Sequence, residues 1–197
     1  MTDNPTAGRI RVDHNQYLIY DATGPVTTDE RDTTADGLTT LRDGQLAIQT
    51  GIHSGDIHAT IQPHTHQPEP APGDWDEIIE ISLHSPSGEL LLGATMHDLD
   101  EELASLATSG PGPYRLRIHA RGRDTAVDLT PDDITEHYTI QAWPAQPTPP
   151  TTLKTTDNYG TQQRNTPPLT PTTTSHEPRG QAAHERDIIR RSYQNDN

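Results

Sequence analysis

The chain reads as an all-β protein, an antiparallel β-sandwich or open barrel of seven or eight short strands with at most one short helix, plus a disordered C-terminal tail. Three observations predict this. Apolar and polar residues alternate with a period of two in several short runs, as the two faces of a half-buried strand require. Turn-forming dipeptides such as Asp36-Gly37, Asp43-Gly44 and Ser87-Gly88 separate those runs. From Pro144 onward the alternation stops and Pro, Thr, Gln and Asn dominate.

The clearest run is Gly112–Asp124. Tyr114, Leu116, Ile118 and Ala120 share one face, and Arg115, Arg117, His119 and Arg121 share the other. Upstream, Ile10–Tyr20 reads as a first strand with Ile10, Val12, Leu18 and Tyr20 on one parity. A polar loop follows to Gly44. Leu46 and Ile48, then Ile57, Ala59 and Ile61, predict two strands joined as a hairpin through Ser54-Gly55-Asp56. The segment from Pro63 to Gly73 holds Pro63, Pro68, Pro70 and Pro72, which a central strand would not accept, so it is expected as an exposed loop.

Ile79, Ile81 and Leu83 alternate with Glu80, Ser82 and His84 in a strand whose expected hairpin partner is Leu90–Leu92. Asp98–Ala107 is the segment with helical spacing: Asp98 caps, and Leu99, Leu103 and Leu106 form a stripe. Thr135–Trp143 supplies a last strand with Tyr138, Ile140 and Ala142 on one side. The expected organisation is therefore a flexible N-terminus over residues 1–8, a β-sandwich domain over 9–143 and a disordered tail over 144–197. Within the tail, His184–Tyr193 places Ile188, Ile189 and Tyr193 among Arg186, Arg190 and Arg191, a pattern suited to a short helix formed on binding.

Composition limits the chemistry. The 197 residues are 29% hydrophobic with a mean hydropathy of −0.84, too little apolar matter to fill a core over the whole length. There is no Phe, so Ile, Leu, Val and Ala must build a thin core. The lack of Cys excludes disulfides, thiolate metal sites and a cysteine nucleophile. A targeting pattern and a membrane-length apolar run of about 18 residues are both missing, which makes a cytoplasmic location the expectation and a membrane partner unexpected. Residues 1–143 carry eight Lys+Arg and 24 Asp+Glu, a balance of −16. Such a field disfavours direct nucleic-acid binding and favours a basic protein partner, although acidity also serves solubility alone.

Several clusters could carry function. Arg115 and Arg117 stand at i, i+2 spacing, about 7 Å apart, with Arg121 four residues further along the same face, and they could grip an anion; the simpler role is pairing with Glu80, Glu136 or Asp128 on neighbouring strands. Asp74, Trp75, Asp76 and Glu77 form an acidic patch with an aromatic anchor, the arrangement of a protein-binding surface. His64 and His66 could share a metal ion with Glu69 or Asp74 as a further ligand, in a metal-binding or metal-assisted hydrolase reading. No nucleophile motif and no phosphate-binding glycine loop is present, so neither catalysis nor a cofactor is expected.

One resemblance spans most of residues 9–144. The run Asp13-His14-Asn15-Gln16-Tyr17-Leu18-Ile19-Tyr20, the Asp43-Gly44-x-Leu46 hairpin start, Gly112-x-Tyr114-x-Leu116 and the closing Tyr138-Thr139-Ile140-Gln141-Ala142-Trp143-Pro144 together resemble the competence protein J family. Members include an inhibitor of a DNA-uptake nuclease. The resemblance implies a small β domain that acts by binding. Independently of it, Trp75, Tyr114 and Trp143 are aromatics that could anchor a partner, with the core as their more ordinary place. The expectation is a non-catalytic, immunity-like or inhibitory partner of a basic enzyme such as a nuclease.

Overall fold

A computed structural model describes residues 5–24, 35–93 and 105–166. Two open sheets pack face to face. The larger holds six strands in the order β1 (Thr6–Val12), β5 (Gly55–Pro63), β9 (His137–Pro144), β8 (Gly112–Arg121), β6 (Glu77–Ser85) and β10 (Thr151–Thr155). The smaller holds β3 (Thr39–Arg42), β4 (Gln45–Gln49), β2 (Gln16–Asp21) and β7 (Leu90–Gly93). The all-β sandwich read from the alternation is thus the observed architecture, with open sheet edges and with ten strands among the described residues where seven or eight were expected. Among the described residues, pairing is antiparallel except between β5 and β9, which run parallel.

The core lies between the sheets. Ile57, Ala59 and Ile61 of β5, Tyr138, Ile140 and Ala142 of β9, and Tyr114, Leu116, Ile118 and Ala120 of β8 face Tyr17, Ile19, Leu46, Ile48, Leu90 and Leu92. Burying one face of each sheet is what alternating sequences achieve in a sandwich. Two tyrosines substitute for the missing phenylalanines: Tyr17 and Tyr138 meet edge to face with ring centroids 5.2 Å apart.

The first strand departs from expectation. His14 and Asn15 have φ of 54° and 59°, a left-handed pair that reverses the chain between Asp13 and Gln16. This turn splits Ile10–Tyr20 into β1 and β2 and carries the chain from the large sheet to the small one. It also shifts parity, so Tyr17 and Ile19 rather than Leu18 and Tyr20 join Ile10 and Val12 in the core cluster. Asn15 is fully buried and its side-chain amide donates to the Gly51 carbonyl and to Asp128 at 3.0 Å. The Asp43-Gly44 turn, with φ of 48° and 81°, makes the β3–β4 hairpin.

Two expected hairpins are instead sheet-to-sheet crossings. β4 pairs with β2 and β3 while β5 pairs with β1 and β9, and β7 pairs with β2 rather than with β6. The helix expected over Asp98–Ala107 falls largely on residues 94–104, outside the described residues; Ser105–Ala107 carries no helix, and Leu106 is buried in the core.

The ordered unit also extends beyond both predicted boundaries. β1 begins at Thr6, inside the segment expected to be flexible. After Pro144 the chain adds β10 against β6, with Thr151 opposite Glu80, and then helix α1 (Asn158–Asn165), capped by the Asp157 carboxylate accepting from Gly160 N. The tail expectation is corrected at least to Thr166. The polar strand Thr151–Thr155 is held by its backbone ladder and by ion pairs beyond it, neither of which leaves an apolar alternation to read.

Candidate functional site

The outer face of the six-stranded sheet gathers the predicted arginines and covers them. Two segments cross it: the Pro-rich loop at 63–75 and the extended stretch at 145–150. Arg115 is 4% exposed and uses all five guanidinium donors inside the protein. Nε reaches Glu80 Oε2 at 3.4 Å, Nη1 reaches Ser82 Oγ and the Thr148 carbonyl, and Nη2 reaches the Pro149 carbonyl and Thr151 Oγ1. Arg117 sits 2.7 Å from Glu80 Oε1 and donates to the Pro68 carbonyl and Gln141 Oε1, with its guanidinium 5.1 Å over the Trp143 ring. Of the acidic partners weighed for this row, Glu80 engages both Arg115 and Arg117.

His119 completes the row, fully buried. Its Nε2 accepts from Ala71 N at 3.1 Å and its Nδ1 faces the Thr139 carbonyl at 3.1 Å, which assigns the proton to Nδ1. Burial pushes its pKa down to about 4, so the ring is neutral at physiological pH. Trp75 lies 8% exposed against that ring, donating Nε1–H to the Ala71 carbonyl, and the exposed Arg121 stacks 5.5 Å over it. The row therefore fastens two loops to the sheet, and its geometry offers an external anion few free donors.

The predicted acidic patch is dispersed. Asp74 is exposed, Asp76 accepts from Gly122 N at 2.9 Å, and Glu77 is fully buried. His64 is half-buried with a depressed pKa, caused first by burial and then by the Arg117 charge, while His66 is exposed. Among the described residues no group of three or more His, Asp or Glu side chains is placed to hold a metal ion.

Glu77 belongs to a cluster that the sequence does not announce. Arg123, fully buried, donates from Nε to Asp157 Oδ2 at 2.6 Å and from Nη1 to the carbonyls of Gly37 and Gln49, and lies 5.4 Å over the Tyr159 ring. Glu77 Oε2 pairs with Arg164 at 3.2 Å. Burial and the adjacent Asp157 carboxylate push the Glu77 pKa up to about 7, against the pull of Arg123 and Arg164. A second buried carboxylate, Glu136, accepts from the Tyr138 hydroxyl at 2.5 Å and from Ile52 N at 2.7 Å. The Arg123–Asp157 and Glu77–Arg164 pairs dock α1 onto the sandwich, and no spacing in the sequence points to them.

Docking β10 also creates a groove. β3 ends the small sheet and β10 ends the large one, and a groove of about 860 Å³ runs between them. Leu41, Ile81, Pro147 and Pro150 supply its apolar lining, with Asp36 and Arg164 among its polar residues. Leu41 is 51% exposed beside it, and a smaller hollow of about 230 Å³ continues past Leu41 to His84 and Pro113. Its residues come from strands far apart in sequence, so no local motif marks it.

No helix among the described residues is long and apolar enough to cross a membrane. No protein-family model matches the chain, and no curated protein matches it. Among solved structures the chain is similar to one titled crocagin biosynthetic gene J, with 13% sequence identity, a TM-score of 0.48, and coverage of 73% of this chain and 98% of that one. It is also similar to ComJ from Bacillus subtilis, titled an inhibitor of the DNA degrading activity of NucA, with 13% identity, a TM-score of 0.49, and coverage of 74% of this chain and 98% of that one. The weak resemblance to competence protein J read from residues 9–144 is met again in this comparison of structures.

Proposed function

We propose that the chain is a non-catalytic, inhibitor-like domain that binds a basic protein, such as a nuclease, through the groove between β3 and β10. The observation that carries this reading is the groove itself: an apolar trough open to solvent along the meeting line of two sheet edges, sized for a segment of another polypeptide. The arginine row and Trp75 are occupied within the protein, so contact falls to Leu41 and its neighbours rather than to the outer face of the large sheet. The charge of −16 over residues 1–143 would accelerate encounter with a basic target, and the apolar trough would hold it once docked. The sequence resemblance to the competence protein J family implies the same mode of action.

Affinity capture by the full chain, followed by rebinding of the purified captured protein, tests the reading. A basic protein should be retained at low salt, lost as salt shortens the range of attraction, and lost again on Leu41→Asp. Retention that ignores both salt and Leu41→Asp would overturn it.

A further inference from the structure

We propose that the groove between β3 and β10 is occupied in the free protein by the chain's own basic C-terminal segment, Arg186–Tyr193, which a partner must displace. This inference rests on the groove being the docking site proposed above, and it adds the regulation of that site. Three observations support it.

The first is where the described chain ends. α1 finishes at Asn165, and Arg164, in its last turn, itself lines one end of the groove. The segment after Thr166 therefore starts at the site. The second is length. About 22 residues separate Thr166 from Ile188, for which a coil spans roughly 25 Å, enough to return along the trough from that end. Tethering at such a distance gives an effective concentration on the order of millimolar, so even a weak fit is well occupied.

The third is chemistry. Ile188, Ile189 and Tyr193 are apolar residues in a segment where Arg186, Arg190 and Arg191 outnumber Asp187, and the remainder of the chain is strongly acidic. The apolar trio suits a lining of Leu41, Ile81, Pro147 and Pro150, and the arginines suit the surrounding negative field, with Asp36 at the near end. Arg164 is turned away from them, because its guanidinium lies 3.2 Å from the buried Glu77 and donates to the Asp36 carbonyl. A basic tail held this way would mimic the basic partner and raise the threshold for binding it, which sharpens specificity without any new surface.

The chain has no cysteine, so one thiol can report on the groove in the full-length protein. Leu41→Cys places it at the trough, and Leu129→Cys, 61% exposed and outside the groove, serves as reference. Both positions are exposed enough to accept the change, and a melting curve checks the fold. Alkylation of Leu41→Cys is expected to be slow at low salt and to rise about five- to tenfold when Ile188→Asp and Ile189→Asp are added, with the reference unchanged. A rate at position 41 indifferent to the tail substitutions would overturn the proposal. So would protection that disappears on dilution, which would assign the groove to a second copy of the chain. Either result leaves the salt and Leu41→Asp dependence of partner retention intact, so the tail and the docking site fail separately.

Discussion

Arg123 and Asp157 form an ion pair with side chains 0% and 1% exposed, the guanidinium Nη2 2.6 Å from the carboxylate Oδ2. The pair joins the loop after β8 to the cap of α1 and is one of the ties that hold α1 on the sandwich. Breaking a buried pair from one side leaves the other charge stranded. Asp157→Ala is therefore expected to cost about 3–5 kcal/mol in urea unfolding. Asp56→Ala, whose pair with Arg11 is 45% and 40% exposed, should cost less than about 1 kcal/mol.

Glu77 makes the same region pH-dependent. Its folded pKa is raised to about 7, so between the ordinary glutamate value and pH 7 the native state holds a proton that the unfolded state has released. The contribution of this group to stability is largest at low pH and is lost as pH rises through about 7. Glu77→Gln fixes the neutral form, so the variant should lose this downward slope while the parent keeps it. Melting temperatures of both, taken at half-unit steps from pH 5 to 8, give the comparison.

Gly51 carries a steric constraint. A Cβ there would lie 1.9 Å from the Arg123 carbonyl oxygen, and the obstructing atom is backbone that cannot rotate aside. Gly51→Ala should destabilise the fold by about 3 kcal/mol or more, the upper end of overpacking costs. A variant that melts with the parent would show that the two loops can separate without loss.

Arg117 predicts a local effect. Because it links Glu80 to the Pro68 carbonyl, Arg117→Leu should release the 63–75 loop from the sheet as well as cost about 3 kcal/mol. Amide hydrogen exchange reads this directly. Ala71 N, held by His119 Nε2, should exchange faster in the variant, and Gln49 N, bonded to Leu38 O in the other sheet, should change only with global stability.

These sites show why the fold was more legible in the sequence than the site. Tyr114, Leu116, Ile118 and Ala120 alternate, and they occupy the core as read, because periodicity is a local consequence of burying one face. Which sheet a strand joins is not local. β4 and β5, or β6 and β7, follow one another with ordinary turn residues whether they pair or cross, so the expected hairpins failed there. A two-residue turn at His14-Asn15 was enough to invert the parity of β2. The arginine row was read correctly as the polar face of β8, yet its burial depends on Pro68, Thr148 and Pro149, which arrive from distant segments. β10 escaped notice because ladder bonds and Asp157, rather than apolar side chains, hold it in place.

Asp21 makes stability pH-dependent at the acid end of the scale. Asp21 is buried at the end of β2, where desolvation would raise its pKa, but hydrogen bonds from the Ser85, Thr23 and Ser87 hydroxyls and from Ser87 N outweigh that and hold it well below the usual carboxylate range. Ser85 closes β6 in the large sheet, so this carboxylate ties the two sheets together. A depressed folded pKa means the stability it confers is complete above the ordinary aspartate value and is lost as pH falls below it. Asp21→Asn should therefore destabilise the protein at pH 6 by about 2–3 kcal/mol, with the parent and variant curves converging toward pH 2. If the gap instead stays constant down to pH 2, the tie acts through shape rather than charge. Glu77 and Asp21 then set opposing slopes, and stability in the parent should peak between them, on the acid side of neutrality.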